Sequence, residues 1–205
     1  MKKWIFVAFI IVFSAVVWTS CGDGSNVKEE VSGTNFDQNE LDSLLLLGRQ
    51  YADSAQKVLG GNLKKALSDS GSVGALRFCN IRALYLTDSS AKAMNVEIQR
   101  VSDKARNPLN TATVEELEII GAMKQELKGE GKITPHIFQE NNQVLAYYPI
   151  LMKPMCLQCH GTPEKDIDPE TLAVINQIYL ADKATGYSVD EVRGMWKVIL
   201  DSDLN

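Results

Sequence analysis

The chain is short of metal ligands and of concentrated positive charge. Its 205 residues include two histidines and four cysteines, so any metal chemistry draws on a short list. Lysine and arginine total 21 against 26 acidic residues, a net charge of −5. No basic block interrupts that balance, which excludes a binder that tracks nucleic-acid phosphates. Beyond the N-terminus no apolar run reaches about 18 residues, which excludes a protein of several membrane spans. There is no internal repeat and no low-complexity tract. What is there is ordinary globular composition, 45% apolar and 23% charged, at a length that fits one domain with an appended segment.

The appended segment reads as an address. Met1-Lys2-Lys3 is basic, Trp4 to Trp18 is apolar except for Ser14, and Thr19-Ser20-Cys21 is small. That order is an export signal, and the run is short for a span of about 20 residues; an anchor left uncleaved is the other reading. Cys21 stands where bacterial lipoproteins carry their lipid, with Trp18 where leucine is usual. We expect a lipoprotein-type signal peptide over 1–20 and a polar, Gly/Ser/Asn-rich tether over 21–39. The domain then covers 40–205. Several acyl chains on Cys21 anchor such a protein at a membrane, facing the periplasm or the cell surface. Export also places the remaining cysteines where disulfides form.

Leu41, Leu44, Leu45, Gly48, Ala52, Ala55, Leu59, Leu63 and Ala66 recur at helical steps, which predicts a long amphipathic helix that Gly60-Gly61 can kink. Ser70-Gly71-Ser72 breaks it. Val73, Leu76, Cys79, Asn80, Ala83 and Leu84 define the inner face of a second helix, with Cys79 inward. Residues 96–101 alternate as a half-buried strand. Pro108 keeps the 106–110 segment a loop. Thr113 and Glu116 form a capping-box pattern ahead of a helix to about Lys128, stopped by Gly129 and Gly131. Residues 132–140 and 143–152 flank Asn141-Asn142 as a hairpin. Helices follow over about 169–179 and 189–200. Leading helices with a small antiparallel sheet make the class α+β.

Cys156-Leu157-Gln158-Cys159-His160 is CxxCH, the attachment signature of haem c. Two thiols two residues apart reach the two vinyl groups of one porphyrin, and the adjacent histidine becomes the proximal iron ligand. A thioredoxin-like redox pair needs a βαβ setting that is not seen. A zinc site needs further ligands at finger spacing, and His136 is the only other histidine. For the second axial position the residues alone leave Cys79, His136, Met94, Met123 and Met152 open, or no ligand at all; Met155, next to an attachment cysteine, is too close to swing to the opposite face. A lone inward cysteine is more often a small buried apolar residue, and Met94, Met123 and Met152 read first as core filler.

Three segments carry a family resemblance. They are Ala75-Leu76-Arg77-Phe78-Cys79-Asn80; Tyr147-Tyr148-Pro149-Ile150 running into Cys156–Gly161; and Asp182-Lys183-Ala184-Thr185-Gly186-Tyr187 ahead of Arg193-Gly194. The Arg106-Asn107-Pro108 loop fits as well, and Leu180 stands where the family has proline. Over about residues 40–200 the chain resembles a bacterial c-type haem family with a PAS-like, mono-haem fold, found both as exported proteins and in membrane sensor kinases. The resemblance implies one covalent haem c on Cys156 and Cys159. It implies His160 as the proximal iron ligand and Cys79 as the distal one.

A thiolate is a strong anionic donor, so this pair implies a potential below that of a His/Met cytochrome. The expected function is an exported mono-haem cytochrome that carries one electron, not an enzyme, working with an unidentified redox partner protein. The alternative is a redox or gas (CO, NO, O₂) sensor that loses Cys79 on reduction and signals through a partner. The sequence contains no kinase or other output segment, which favours the carrier. Peroxidase chemistry needs an open iron and is disfavoured by a filled sixth position. Arg106, Asn107, Lys183 and Arg193 are candidates for the haem propionates, against an ordinary surface or turn role. Of Tyr147 and Tyr148 only one can face the haem, because they alternate on a strand.

Overall fold

Asp37 opens the first helix. Its carboxylate accepts from the backbone N–H of Glu40, and the Glu40 side chain accepts from the Asp37 N–H, a complete capping box. The computed structural model describes residues 37–140 and 143–201. The export signal, Cys21 and most of the tether lie outside them. The helix, α1, runs Gln38–Ala93. It continues through Gly60-Gly61 and departs from helical geometry at Gly71 (φ 63°, ψ −169°). Only glycine takes that backbone state cheaply, so the break falls where Ser70-Gly71-Ser72 signals it. The second half of α1 continues to Ala93, further than its apolar pattern extends.

The remaining elements are β1 (Glu97–Val101), α2 (Val114–Glu130), β2 (His136–Glu140), β3 (Gln143–Leu151), α3 (Leu157–His160), α4 (Pro169–Ile178) and β4 (Val192–Asp201). Thr113 and Glu116 form the expected capping box on α2. The helix passes Gly129 and ends at Gly131 in the left-handed conformation (φ 71°). The four strands form one antiparallel sheet in the order β1-β4-β3-β2. The class is α+β.

β4 corrects the expectation of a final helix over 189–200. It is a central strand, paired with β1 and β3. The reason for the misreading is a bulge. Ile150 pairs with Gly194 and Leu151 with Val192, so Arg193 is the extra residue. The bulge switches parity: Val192 and Met195 lie three apart on the α2 face, whereas Trp196, Val198 and Leu200 alternate on the α1 face, so no single two-residue period runs through the segment. Gly194 is needed there, because a Cβ would collide with the Val101 carbonyl oxygen on β1.

Both faces of the sheet are covered. On one, Val144, Ala146, Tyr148, Trp196, Val198 and Leu200 pack with Ala52 and Ala55 of α1. On the other, Val101, Tyr147, Val192 and Met195 pack with Ile120 and Met123 of α2. A third cluster joins the second half of α1, through Leu76, to Val174 and Ile175 of α4. Ser72 and Thr171 fasten that junction with an Oγ–Oγ1 hydrogen bond of 2.5 Å. Among the described residues no helix is long and apolar enough to cross a membrane.

Candidate functional site

Both halves of α1, the ends of β1, β3 and β4, the loop after β1 and the 154–160 turn line a cavity of about 220 Å³. Its lining includes Cys79, Cys156, Cys159 and His160, so the structure brings all four candidate residues to one place. Leu59, Leu63, Leu76, Ala83 and Leu84 give it an apolar wall along α1. Cys79 lies one turn beyond Leu76 and shares its face. It is half-buried rather than sealed in the core.

The 154–160 turn is preorganised. Pro154–Cys156 is a single 3₁₀ turn, and Leu157–His160 continues it as one turn of helix. Cys156 and Cys159 are three apart on this helical stretch, so their side chains share a side. Cys79, Cys156 and Cys159 are free thiols. Burial pushes the Cys159 thiol up to about 11, against the pull of the Arg106 guanidinium. Burial also raises the Cys79 thiol, and Arg100 and Arg106 pull it back down.

His160 is held by its outer nitrogen. Nδ1 lies 2.8 Å from the carbonyl oxygen of Ala184. A carbonyl only accepts, so Nδ1 carries the proton and Nε2 is left with a free lone pair. Burial, then the nearby Arg193 and Arg106 charges, hold the imidazole well below its usual pKa and keep it neutral. A neutral, oriented imidazole is what iron ligation needs. Arg106 supports the same turn. Its Nη2 donates to the Cys159 carbonyl at 2.6 Å, and Nε and Nη2 bond the two carboxylate oxygens of Asp182 at 3.0 and 3.1 Å.

Other candidates fall elsewhere. His136 is on β2, bonded to Glu126 at 2.8 Å, and is not part of the lining. Met94 packs against the α1-side core, and Met123 of α2 is fully buried against the sheet. Met152 and Met155 do reach the cavity. Neither Tyr147 nor Tyr148 is part of the lining. They lie on the strand nearer its middle, where Tyr148 donates to the Leu45 carbonyl at 2.8 Å and Tyr147 packs toward α2. Lys183 is exposed and outside the lining. Asn107 lines the cavity, but its side chain caps the 108–110 turn through the Leu109 N–H.

Arg100 is the lining residue that sequence reasoning missed. Strict alternation over 96–101 puts Arg100 on the same face as Val96 and Ile98, and Ile98 is buried. An arginine on the inward parity of a half-buried strand was the available signal. The residues fit a covalently held haem. Two thiols sit on one helical turn beside a neutral imidazole with a free nitrogen, and two cavity arginines, Arg100 and Arg193, have buried Nε atoms without partners.

No curated protein matches the chain. The crystal structure of the cyanobacterial heme-protein Tll0287 superposes with a TM-score of 0.53 over 81% of this chain and 97% of its own, at 18% identity. At that identity the likeness is one of fold. The Tll0287-like family model matches residues 33–200, nearly the whole described domain, and the chain belongs to the Tll0287-like family.

Proposed function

We propose that this protein is an exported, mono-haem c-type cytochrome that carries one electron at a time, held at a membrane through a lipid on Cys21. Cys156 and Cys159 attach the haem as thioethers, and His160 Nε2 is the proximal iron ligand. The bound haem supplies a reversible Fe(III)/Fe(II) couple. The observation that carries the reading is the His160–Ala184 hydrogen bond, which leaves Nε2 as the free donor in a cavity that Cys79 also lines. The relative of the same fold is a heme-protein, which supports the same cofactor here.

Cys79 is the distal ligand in this reading. Its thiolate stabilises ferric iron and lowers the potential relative to a His/Met pair. Arg100 and Arg106 favour the thiolate. The sensor reading has one observation of its own: burial works against the Cys79 thiolate. Loss of one positive charge on reduction would let Cys79 take a proton and release the iron to CO, NO or O₂. Signalling would then pass to a partner protein.

Absorption spectra of the haem-matured protein separate these readings, recorded oxidised, reduced, and reduced under CO. A carrier with both positions filled is low-spin in both states and unchanged by CO. Ready CO binding after reduction moves the sensor ahead. Absence of covalent haem defeats both and returns Cys156 and Cys159 to a disulfide.

A further inference from the structure

Three arginines line the cavity, and they are not equivalent. Arg106 is neutralised by Asp182 through a two-point contact, and its Nη2 also donates to the Cys159 and Ala184 carbonyls. Neither Arg100 nor Arg193 forms an ion pair with a carboxylate among the described residues. Arg193 Nη1 donates to Ser102 Oγ at 2.7 Å, and its Nε is buried without a partner. Arg100 Nε is likewise buried and unpartnered, with the guanidinium carbon 5.8 Å from the centre of the Trp196 ring.

Burying a charge without a counter-charge is strongly unfavourable. Asp88 and Asp182 act on Arg100 and Arg193 only at longer range, so two unpaired guanidinium forks at one cavity suit an occupant that brings negative charge. Their placement is also specific. Arg100 sits on the inward parity of β1, opposite Trp196 of β4, and Arg193 is the bulge residue of β4. A bulge re-aims a side chain that a regular ladder would send elsewhere. β1 therefore presents Arg100 by its regular alternation, and β4 presents Arg193 through its bulge.

We infer that Arg100 and Arg193 form a two-point carboxylate-binding site that receives the two propionates of the haem, whereas Arg106 is a positioning residue that fixes the Cys159–His160 turn through Asp182. The inference rests on the haem reading above. Planar guanidinium forks suit carboxylates, and in a partly buried site arginine stays charged where lysine readily shifts. Asn107 and Lys183 have no part in it, since Asn107 caps its own turn and Lys183 is exposed.

The test uses the mature holoprotein, with haem carrying a heavy carbon isotope at its propionate carboxyls through labelled aminolevulinate. Oxidised-minus-reduced infrared spectra isolate the labelled carboxylate stretches. Arg100→Gln and Arg193→Gln should each shift a labelled band, the Arg→Lys variants should shift it less, and Lys183→Gln should leave it in place. Mass spectrometry reports covalent haem separately. Wild-type protein without attached haem removes the cofactor reading itself. Attached haem with labelled bands unmoved in both Gln variants overturns this inference alone. Should the Gln variants fail to mature, the Lys variants decide, and bands identical to wild type in both overturn it.

Discussion

Arg106 and Asp182 meet at 3.0 and 3.1 Å across 76 residues of sequence, and the same guanidinium holds the carbonyl of Cys159 at 2.6 Å. Both side chains are about nine-tenths buried. This contact connects the loop after β1, the CxxCH turn and the segment that presents Ala184 to His160.

Breaking it from one side strands a buried charge. Arg106→Met should cost about 3 kcal/mol of unfolding free energy, and Asp182→Asn a similar amount. In the double variant the losses should be clearly less than additive, because the pair acts as a unit. Denaturant unfolding of the four proteins measures the coupling. Additive losses would mean that each residue acts through other contacts.

Gly194→Ala introduces a Cβ that collides with the Val101 carbonyl oxygen and crowds Ser102. The β1–β4 pairing must shift, at a cost of about 1–3 kcal/mol. Hydrogen exchange should show the loss concentrated at β1 and the start of β4. Gly60→Ala, in the helix and with only the flexible Gln56 amide near its Cβ, should instead stabilise by about 1 kcal/mol.

Thr171 is fully buried, with its hydroxyl bonded to Ser72 and to Asp168 at 2.5 and 2.6 Å. Thr171→Val keeps the volume and removes both bonds, a loss of about 1–2 kcal/mol. The loss should loosen the second half of α1, which carries Cys79. Limited proteolysis near Gly71 reads that loosening directly.

Burial raises the phenol of Tyr148 above its ordinary value, and burial with the Glu116 charge pushes Tyr147 up to about 12. The unfolded chain ionises first, so the folded state holds more protons above pH ~10. Stability is therefore level below that pH and falls as pH rises through and above it. Tyr148→Phe loses one hydrogen bond, about 1 kcal/mol at neutral pH, and should show a shallower alkaline decline. An identical decline in the variant would show that Tyr148 is not its source.

Much of this molecule is written in local patterns. Asp37 and Thr113 cap their helices through residues three positions on, Gly71 breaks α1 at a Ser-Gly-Ser signal, and CxxCH needs only one turn. β4 is hard to read in the sequence because its bulge at Arg193 switches parity, so Val192 and Met195 share one face and no single two-residue period spans the strand. Arg100 shares the face of buried Ile98, but Val101 is buried on the other face, so the apolar residues of β1 do not by themselves mark one side as inward. The partners of the site residues were hidden for another reason. Ala184 reaches His160 across 24 residues and Asp182 reaches Arg106 across 76, and neither carries a motif that announces such a contact.

Everything proposed for the site depends on His160 and Cys79 jointly holding one covalent haem iron. Electron paramagnetic resonance of the ferric protein, beside Cys79→Ala, probes that pairing at the metal itself. The wild type should give a low-spin signal with the narrow anisotropy of thiolate ligation. Cys79→Ala should lose that signal and show a higher reduction potential, with the haem still attached. A ferric signal unchanged by Cys79→Ala would contradict the pairing and turn attention to Met152, which also lines the cavity.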